Sequence, residues 1–295
     1  MKLTITLIAG LIAFAAVCDA QNAPKTHEEA EKIVDGLKLQ QGEITLQGGL
    51  AKLTIPPAFN YISPDDAETV LVKLWGNPPS QKPLGMILPA NVSPLDRNCW
   101  AVTISYSEDG FVKDDDAGKI NYGDLLKKMQ DSVQENNKER VKNDYKAIDL
   151  VGWAEPPRYD AATHKMNWAK ELKFSGEDEN TLNYNIRILG RRGVLVLNAI
   201  AGMGQLGEIE KQTPQILGMV NFNDGNRYAD FDPKVDKVAT YGIAALVAGG
   251  IAAKAGLFKI VWIFILGAKK FIIIGFAAIA SWFKKLFKKD KPKTV

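Results

Sequence analysis

Three side chains of this sequence could together carry out nucleophilic catalysis. Cys99 supplies a thiol, His164 an imidazole base, and Asp160 a carboxylate that could orient the imidazole, which is the set of groups that activates a cysteine nucleophile. A structural role is the alternative: Cys99 stands beside Trp100 in an apolar segment, typical of a buried and unreactive thiol, and His164 falls in a predicted hairpin turn. The structural role is favoured.

Because the chain has 2 histidines, a zinc site built from several histidines of one chain is excluded.

An acidic run, Asp114, Asp115 and Asp116, could offer oxygen ligands to a metal such as calcium. The run lacks the alternating acids and the closing glutamate of an EF-hand loop. A solvated turn before the helix predicted from Tyr122 explains these residues better. We therefore predict no metal site. If a metal does bind, the three aspartates are its candidate ligands.

The segment from Gly202 to Gly207 has the spacing GxGxxG, and Asp224 follows it at the distance of a ribose-binding acid. The surroundings oppose a dinucleotide site, because the preceding strand is predicted to pair in a hairpin and Pro214 limits the following helix. The pattern favours a glycine-rich turn. No cofactor is predicted.

Three arginines, Arg187, Arg191 and Arg192, could recognise an anion. They border the predicted hairpin turn at residues 190–193, where exposed charges are common. The sequence therefore favours three exposed charges over an anion-binding site.

The elements that would position these residues alternate between helices and short strands. Thr26 with Glu29 matches a capping box, and Ser63 with Pro64 matches an N-cap followed by proline at the first helical position. Hydrophobic periodicity predicts helices near residues 27–38, 63–75 and 122–141 and a short helix from 205, and strands near residues 43–47, 51–55, 84–88, 99–106, 148–156, 165–174, 181–189 and 194–200. The predicted fold is α+β, with a mainly antiparallel sheet, several helices and a C-terminal membrane helix or helices.

The N-terminus has the layout of a secretory signal peptide. Lys2 precedes an apolar run from Leu3 to Val17, and a polar stretch begins at Gln21. We predict a signal over residues 1–20, either cleaved or kept as an anchor, and one exported periplasmic domain over residues 21–237. Either outcome exports the domain.

A second apolar stretch, residues 238–283, contains no Asp or Glu and predicts a membrane anchor. Lysines within it, including Lys269 and Lys270, make two full crossings costly. A single effective crossing would place the basic tail, residues 284–295, in the cytoplasm. Whether the stretch forms one or two helices stays open.

The charge distribution indicates what the protein contacts. Residues 254–295 carry ten lysines against one aspartate although the whole chain carries only +3, so the exported domain is acidic. An acidic domain argues against nucleic acid, whereas the basic tail suits the lipid bilayer.

Small residues in the predicted anchor recur at every fourth position. Such rows allow helices to approach closely and predict possible self-association through Ala244, Ala245, Ala248, Gly249, Ala252 and Ala253.

Several longer motifs stand out: LWGNPP (74–79), DDDA (114–117), GWAEPPRYD (152–160), LNYNIR (182–187), LGR (189–191) and LVAGG (246–250). Together they resemble those of an uncharacterised bacterial family of membrane-anchored proteins, domain-of-unknown-function family 2167. The resemblance implies an envelope domain of a Gram-negative bacterium with a C-terminal membrane segment. It implies no activity, so no catalytic residue is carried over from it.

These observations favour a non-enzymatic periplasmic module at the bacterial inner membrane that binds an unknown envelope protein or ligand. The alternative is a periplasmic hydrolase or transferase that uses acidic residues and His164.

Overall fold

The computed structural model describes residue 24 and residues 26–77, 81–96, 98–142 and 145–249. These residues form the helices α1 (His27–Asp35), α2 (Pro64–Glu68), α3 (Tyr122–Lys142), α4 (Leu206–Met219) and α5 (Ile243–Val247). The strands are β1 (Gly42–Thr45), β2 (Ala51–Ile55), β3 (Phe59–Ile62), β4 (Gly85–Pro89), β5 (Ala101–Ser107), β6 (Ile148–Asp160), β7 (Lys165–Phe174), β8 (Thr181–Leu189), β9 (Val194–Gly202) and β10 (Val220–Phe222).

The strands form two sheets. Seven strands pair in the order β3-β4-β5-β9-β8-β7-β6, and three pair in the order β1-β2-β10. Every one of these pairs is antiparallel. The α+β prediction with a mainly antiparallel sheet is confirmed.

One face of the seven-stranded sheet forms the main core. Alternate residues of β8, Leu182, Tyr184, Ile186 and Ile188, are buried there with residues of α4 and of the three-stranded sheet. Side chains of a strand point alternately to its two faces. The residues of β8 that lie between these apolar residues therefore point to the opposite face of the sheet.

The opposite face carries three apolar clusters and a polar patch. In one cluster, α5 packs on Trp168 of β7. Over β3 to β5 it packs against Val70, which follows α2, and over β6 and β7 it packs against Met129 of α3. Between these clusters lies a polar patch of Thr103, Lys170, Asn183, Asn185, Arg187 and Asn198, all buried. Direct pairing of Thr103 with Asn198, of Asn198 with Asn185, and of Asn183 with Lys170 puts the patch on adjacent strands of one face.

Local signals in the sequence located most elements. The side chain of Thr26 accepts from the amide of Glu29, and that of Ser63 accepts from the amide of Asp66. Three elements are longer than predicted. β6 reaches Asp160 through shifts of register, β9 continues to Gly202, and α4 runs for 14 residues with Pro214 inside it.

Residues 238–249, the first part of the predicted anchor, pack within the described domain. The amide of Ala239 donates to the carbonyl of Phe111 over 2.8 Å, and α5 buries Ile243 and Val247 completely beside Trp168. Burial of each such aliphatic side chain contributes about 1.5–3 kcal/mol. The folded unit continues to Gly249.

The predicted signal at 1–20, the remainder of the predicted anchor at 250–283, and the predicted tail at 284–295 lie outside the described residues. Ala252 and Ala253 of the small-residue rows lie there too. None of the helices in the described ranges combines the length and the apolar character that a bilayer crossing requires.

Candidate functional site

The turn between β6 and β7 places His164 at the tip of a long hairpin. One carboxylate oxygen of Asp160 accepts from the amide of Ala162 over 2.9 Å, and the other accepts from the hydroxyl of Thr163 over 2.7 Å. His164 has a φ of +53°, a left-handed conformation that non-glycine residues adopt infrequently. The carbonyl of His164 accepts from the amide of Leu189 over 2.9 Å. The turn is therefore held on both sides, and Asp160 supports it rather than the imidazole.

Asp114, Tyr159, His164 and Tyr228 meet at this tip and are called the hairpin-tip cluster below. The Tyr159 hydroxyl donates to Asp114 Oδ2 over 2.6 Å and lies 3.1 Å from His164 Nδ1. His164 Nδ1 is also 3.4 Å from Asp114 Oδ2. Since the single hydroxyl proton of Tyr159 goes to Asp114, we assign the Nδ1 proton to His164, which leaves Nε2 as an acceptor in the neutral ring.

A column of stacked rings supports the cluster. His164 stacks on Tyr228 with ring centroids 3.9 Å apart, Tyr228 lies 4.4 Å from Phe111, and Phe111 stacks on Phe231 at 3.9 Å. The Tyr228 hydroxyl donates to the carbonyl of Val112 over 3.1 Å. This column fixes the imidazole plane through residues distant in sequence.

The electrostatics of the cluster favour an ionised Asp114. Burial alone raises the pKa of this carboxyl, but the hydrogen bond from Tyr159 and further favourable interactions, including that with His164, bring its pKa below the ordinary value. Burial, followed by the hydrogen bond to Asp114, raises the pKa of Tyr159. Tyr159 therefore stays a neutral donor at physiological pH.

Two open depressions flank Tyr159. One, of about 440 Å³, is lined by Asp114, Tyr122 and Pro157 among others. The other, of about 320 Å³, is lined by Arg158, Lys165 and others. A ligand at the hairpin tip would thus meet an aromatic and acidic side, and a second side that carries Arg158 and Lys165 beside Asp160.

Lys165 connects the hairpin to the end of α4. Its ammonium donates to the carbonyls of Leu217 and Val220 over 2.6 and 3.0 Å, and to Asn221 Oδ1 over 3.0 Å. These contacts fix the side chain of Lys165 in the lining of the second depression.

The remaining acids of the predicted metal candidate have separate roles. Asp116 accepts from the amides of Ile243 and Ala244, over 3.0 and 3.1 Å, at the start of α5, while Asp115 is exposed. Across the described ranges, no group of three or more His, Cys, Asp or Glu side chains is arranged to hold a metal ion.

Cys99 lies far from His164 along the strands. Cys99 precedes β5, whose first residue, Ala101, pairs with Ile200 near the C-terminal end of β9. His164 precedes Lys165 of β7, which is aligned through Ile188 of β8 with Leu195 at the N-terminal end of β9. Burial, followed by the charge of Asp96, raises the pKa of the thiol to about 12. The structure does not bring this thiol together with the imidazole.

A second acidic group, Glu155, is buried on the core face of the sheet. It accepts from the hydroxyl of Tyr184 over 2.5 Å and from the side chain of Asn167 over 3.1 Å. Asn167 also donates to the Tyr184 hydroxyl over 3.0 Å. This closed network satisfies the carboxylate and fits a structural role.

The arginines of the β8–β9 hairpin do not behave alike. Arg191 and Arg192 bind Asp236 over 2.6 and 3.1 Å. Arg187 was predicted to be an exposed charge and this is wrong, because it is 6% exposed and belongs to the polar patch. Alternation in β8 could have placed Arg187 opposite the apolar residues, but it could not show that this face is covered.

Comparisons with known proteins give a family and a distant structural likeness. A family model described as "Protein of unknown function (DUF2167)" matches residues 38–280. No curated protein matches the chain. The solution structure of cyanobacterial PsbP (CyanoP) from Synechocystis sp. PCC 6803 is similar with a TM-score of 0.34 and 8% identity, over 63% of this chain and 92% of that chain.

Proposed function

The chain belongs to the family of proteins of unknown function DUF2167, and we propose that it is a non-enzymatic binding module of a bacterial cell envelope. In this proposal the domain is periplasmic, the C-terminal segment holds it at the inner membrane, and a partner protein or envelope ligand binds at the hairpin tip.

The observation that carries the binding role is the hairpin-tip cluster itself. Its hydrogen-bonding groups are fixed before any ligand arrives, by the Tyr159 to Asp114 bond and by the ring column under His164. Groups that are already ordered lose little conformational entropy on binding. Convergent polar groups beside open depressions are the usual form of a recognition site.

The described neighbours of His164 support binding over covalent catalysis. Among the described residues, no serine, threonine or cysteine side chain forms a hydrogen bond with His164. The neighbouring hydroxyl of Thr163 is committed to Asp160. A nucleophile and its base normally lie within hydrogen-bonding distance.

The membrane part of the proposal is supported by sequence. Residues 250–283, the part of the predicted anchor beyond the described domain, lack acids, and the lysines that follow would face anionic lipid headgroups from the cytoplasm. The lipid bilayer is thus a proposed partner.

Self-association through the small residues is also proposed, and two of them lie on α5 of the described domain. The residues are Ala244, Ala245, Ala248, Gly249, Ala252 and Ala253. Gly249 has a φ of +94°, so a leucine there would strain the backbone whatever its effect on association. Ala245→Leu in the full-length protein is the cleaner test. Crosslinked oligomers that persist unchanged in this variant would argue against the proposal.

Photo-crosslinking in cells tests the binding site. A photoreactive phenylalanine at Ala161, exposed in the hairpin turn and lining a depression, is compared with one at Lys138, exposed on α3. We expect a discrete adduct from position 161 that is absent from position 138. Equal adducts at both positions, or none at 161, would count against the proposed site.

A second candidate function is hydrolysis or group transfer with His164 as general base. The separation of 3.4 Å between His164 Nδ1 and Asp114 Oδ2 favours it, because an acid in this position orients an imidazole and leaves Nε2 to accept a proton from water. The acid of this candidate is Asp114 instead of Asp160. Substrate screening of the full-length protein beside His164→Asn tests it, and identical profiles would exclude this version.

A further inference from the structure

The polar patch contains two cationic side chains on neighbouring strands. Lys170 of β7 pairs directly with Asn183 of β8, and Arg187 follows on the same face of β8. Lys170 is 5% exposed and Arg187 is 6% exposed. Arg187 lies four residues along β8 from Asn183, near enough for its charge to contribute to the lowered pKa of Lys170. Each buried charge is costly without a counter-charge.

Among the described residues, every hydrogen-bond partner of Arg187 is neutral. Its Nη1 donates to the carbonyls of Ile186 and Leu197 and to Asn198 Oδ1, over 2.8, 3.1 and 3.0 Å. Its Nη2 donates to Asn185 Oδ1 over 3.2 Å. Within the described part of the chain, neither Arg187 nor Lys170 forms an ion pair. The positive charge of the patch is thus uncompensated there.

One buried donor beside the patch has no acceptor. The described hydrogen bonds of Arg187 come from Nη1 and Nη2, and a guanidinium can also bind an oxyanion through two parallel bonds. Trp168 stacks against this guanidinium at 5.0 Å, and its buried Nε1 lacks a hydrogen-bond partner in the described ranges. The patch therefore offers donors in excess of acceptors.

The ammonium of Lys170 remains charged in these surroundings. Burial, followed by the charge of Arg187, lowers the pKa of Lys170 to about 8. At neutral pH the group therefore keeps its proton.

We propose that Lys170, Arg187 and Trp168 form an anion-binding site that takes a phosphate group, either free or as part of a lipid headgroup. A phosphate dianion would balance the two positive charges, and its oxygens would supply the acceptor that Nε1 of Trp168 lacks. The site is separate from the hairpin-tip cluster, so neither proposal depends on the other.

Inorganic phosphate is the first probe. Thermal unfolding of the full-length protein in detergent is measured with phosphate and with chloride at equal ionic strength. We expect phosphate to raise the wild-type midpoint above that in chloride, and the apparent affinity to fall at least about tenfold in Lys170→Met, because one charged partner is lost. Lys173→Met, an exposed lysine on the same strand, is the control and should behave as wild type.

The lysine variant should fold, because replacing a buried charge with an apolar side chain of similar length is often neutral or stabilising. Arg187→Gln provides a second variant that weakens the same site. The proposal would be overturned if phosphate had equal effects on wild type and both variants. It would also be overturned if neither phosphate nor a phospholipid headgroup changed the thermal midpoint of the wild type.

Lipid vesicles separate the two sources of phosphate. Full-length protein is reconstituted in phosphatidylcholine alone or with added phosphatidylglycerol. A midpoint raised by phosphatidylglycerol in wild type but not in Lys170→Met supports a headgroup ligand, whereas a response to inorganic phosphate alone supports a free anion.

Discussion

Removing the hydroxyl of Tyr159 is the strongest single test of the hairpin-tip cluster. The substitution Tyr159→Phe removes this hydroxyl and keeps the ring. The hydroxyl donates to an ionised Asp114 over 2.6 Å, and hydrogen bonds to charged groups contribute about 1.5–3 kcal/mol. Asp114 keeps 25% of its side chain exposed, so water can replace part of the loss. We therefore expect the variant to lose about 1–2 kcal/mol of unfolding free energy at neutral pH.

The pH dependence of this loss provides an internal check. The folded-state pKa of Asp114 lies below its ordinary value, so its stabilising contribution is present above the unfolded pKa and is lost as the pH falls through the folded pKa. The difference between wild type and Tyr159→Phe should therefore shrink in acid.

Urea unfolding followed by tryptophan fluorescence measures both effects. Tyr145→Phe is the matched control, because Tyr145 is 40% exposed and no hydrogen bond of its hydroxyl contributes to the site. Unchanged stability of Tyr159→Phe at neutral pH would refute the reasoning, as would a loss that stays constant down to strongly acidic pH.

Three further predictions concern other parts of the domain. Cys99, whose pKa is raised to about 12, should react with iodoacetamide at pH 8 far more slowly in the folded protein than in urea, and equal rates would contradict its burial. Asp236→Asn should lower the thermal midpoint at pH 7, because Arg191 above all holds the pKa of Asp236 at about 2; that stabilisation is lost as the pH falls towards 2, so the midpoints should converge there and a constant gap would contradict it. Gly193→Ala should cost about 1–3 kcal/mol in urea unfolding, since its Cβ would lie 2.1 Å from the carbonyl oxygen of Ser107, whereas Gly207→Ala, with open space around its Cβ, should not destabilise.

Local patterns in the sequence predicted much of the fold. Alternation in β8 and β9 with glycines between them predicted their hairpin, and the N-caps at Thr26 and Ser63 are confirmed. These features depend on nearest neighbours, which is why sequence reasoning reaches them.

The site depends on contacts that no local pattern contains. Asp114 and Tyr159 are 45 residues apart, and their bond follows from the packing of the loop after β5 against the hairpin tip. β6 also runs past Pro156 and Pro157 because its register shifts there, which carries Tyr159 to the tip. Alternation likewise put Arg187 on the face opposite the core, but burial of that face is a tertiary property.

The proposed ligand site at the hairpin tip is tested most directly by asking whether its crosslink depends on the cluster. The adduct formed in cells from a photoreactive phenylalanine at Ala161 is quantified in the wild-type background, in Tyr159→Phe and in Lys211→Ala, an exposed change on α4. The proposal predicts that Tyr159→Phe lowers the adduct several-fold at equal protein level while Lys211→Ala leaves it unchanged. An adduct of equal yield in all three backgrounds would contradict a binding role for the cluster.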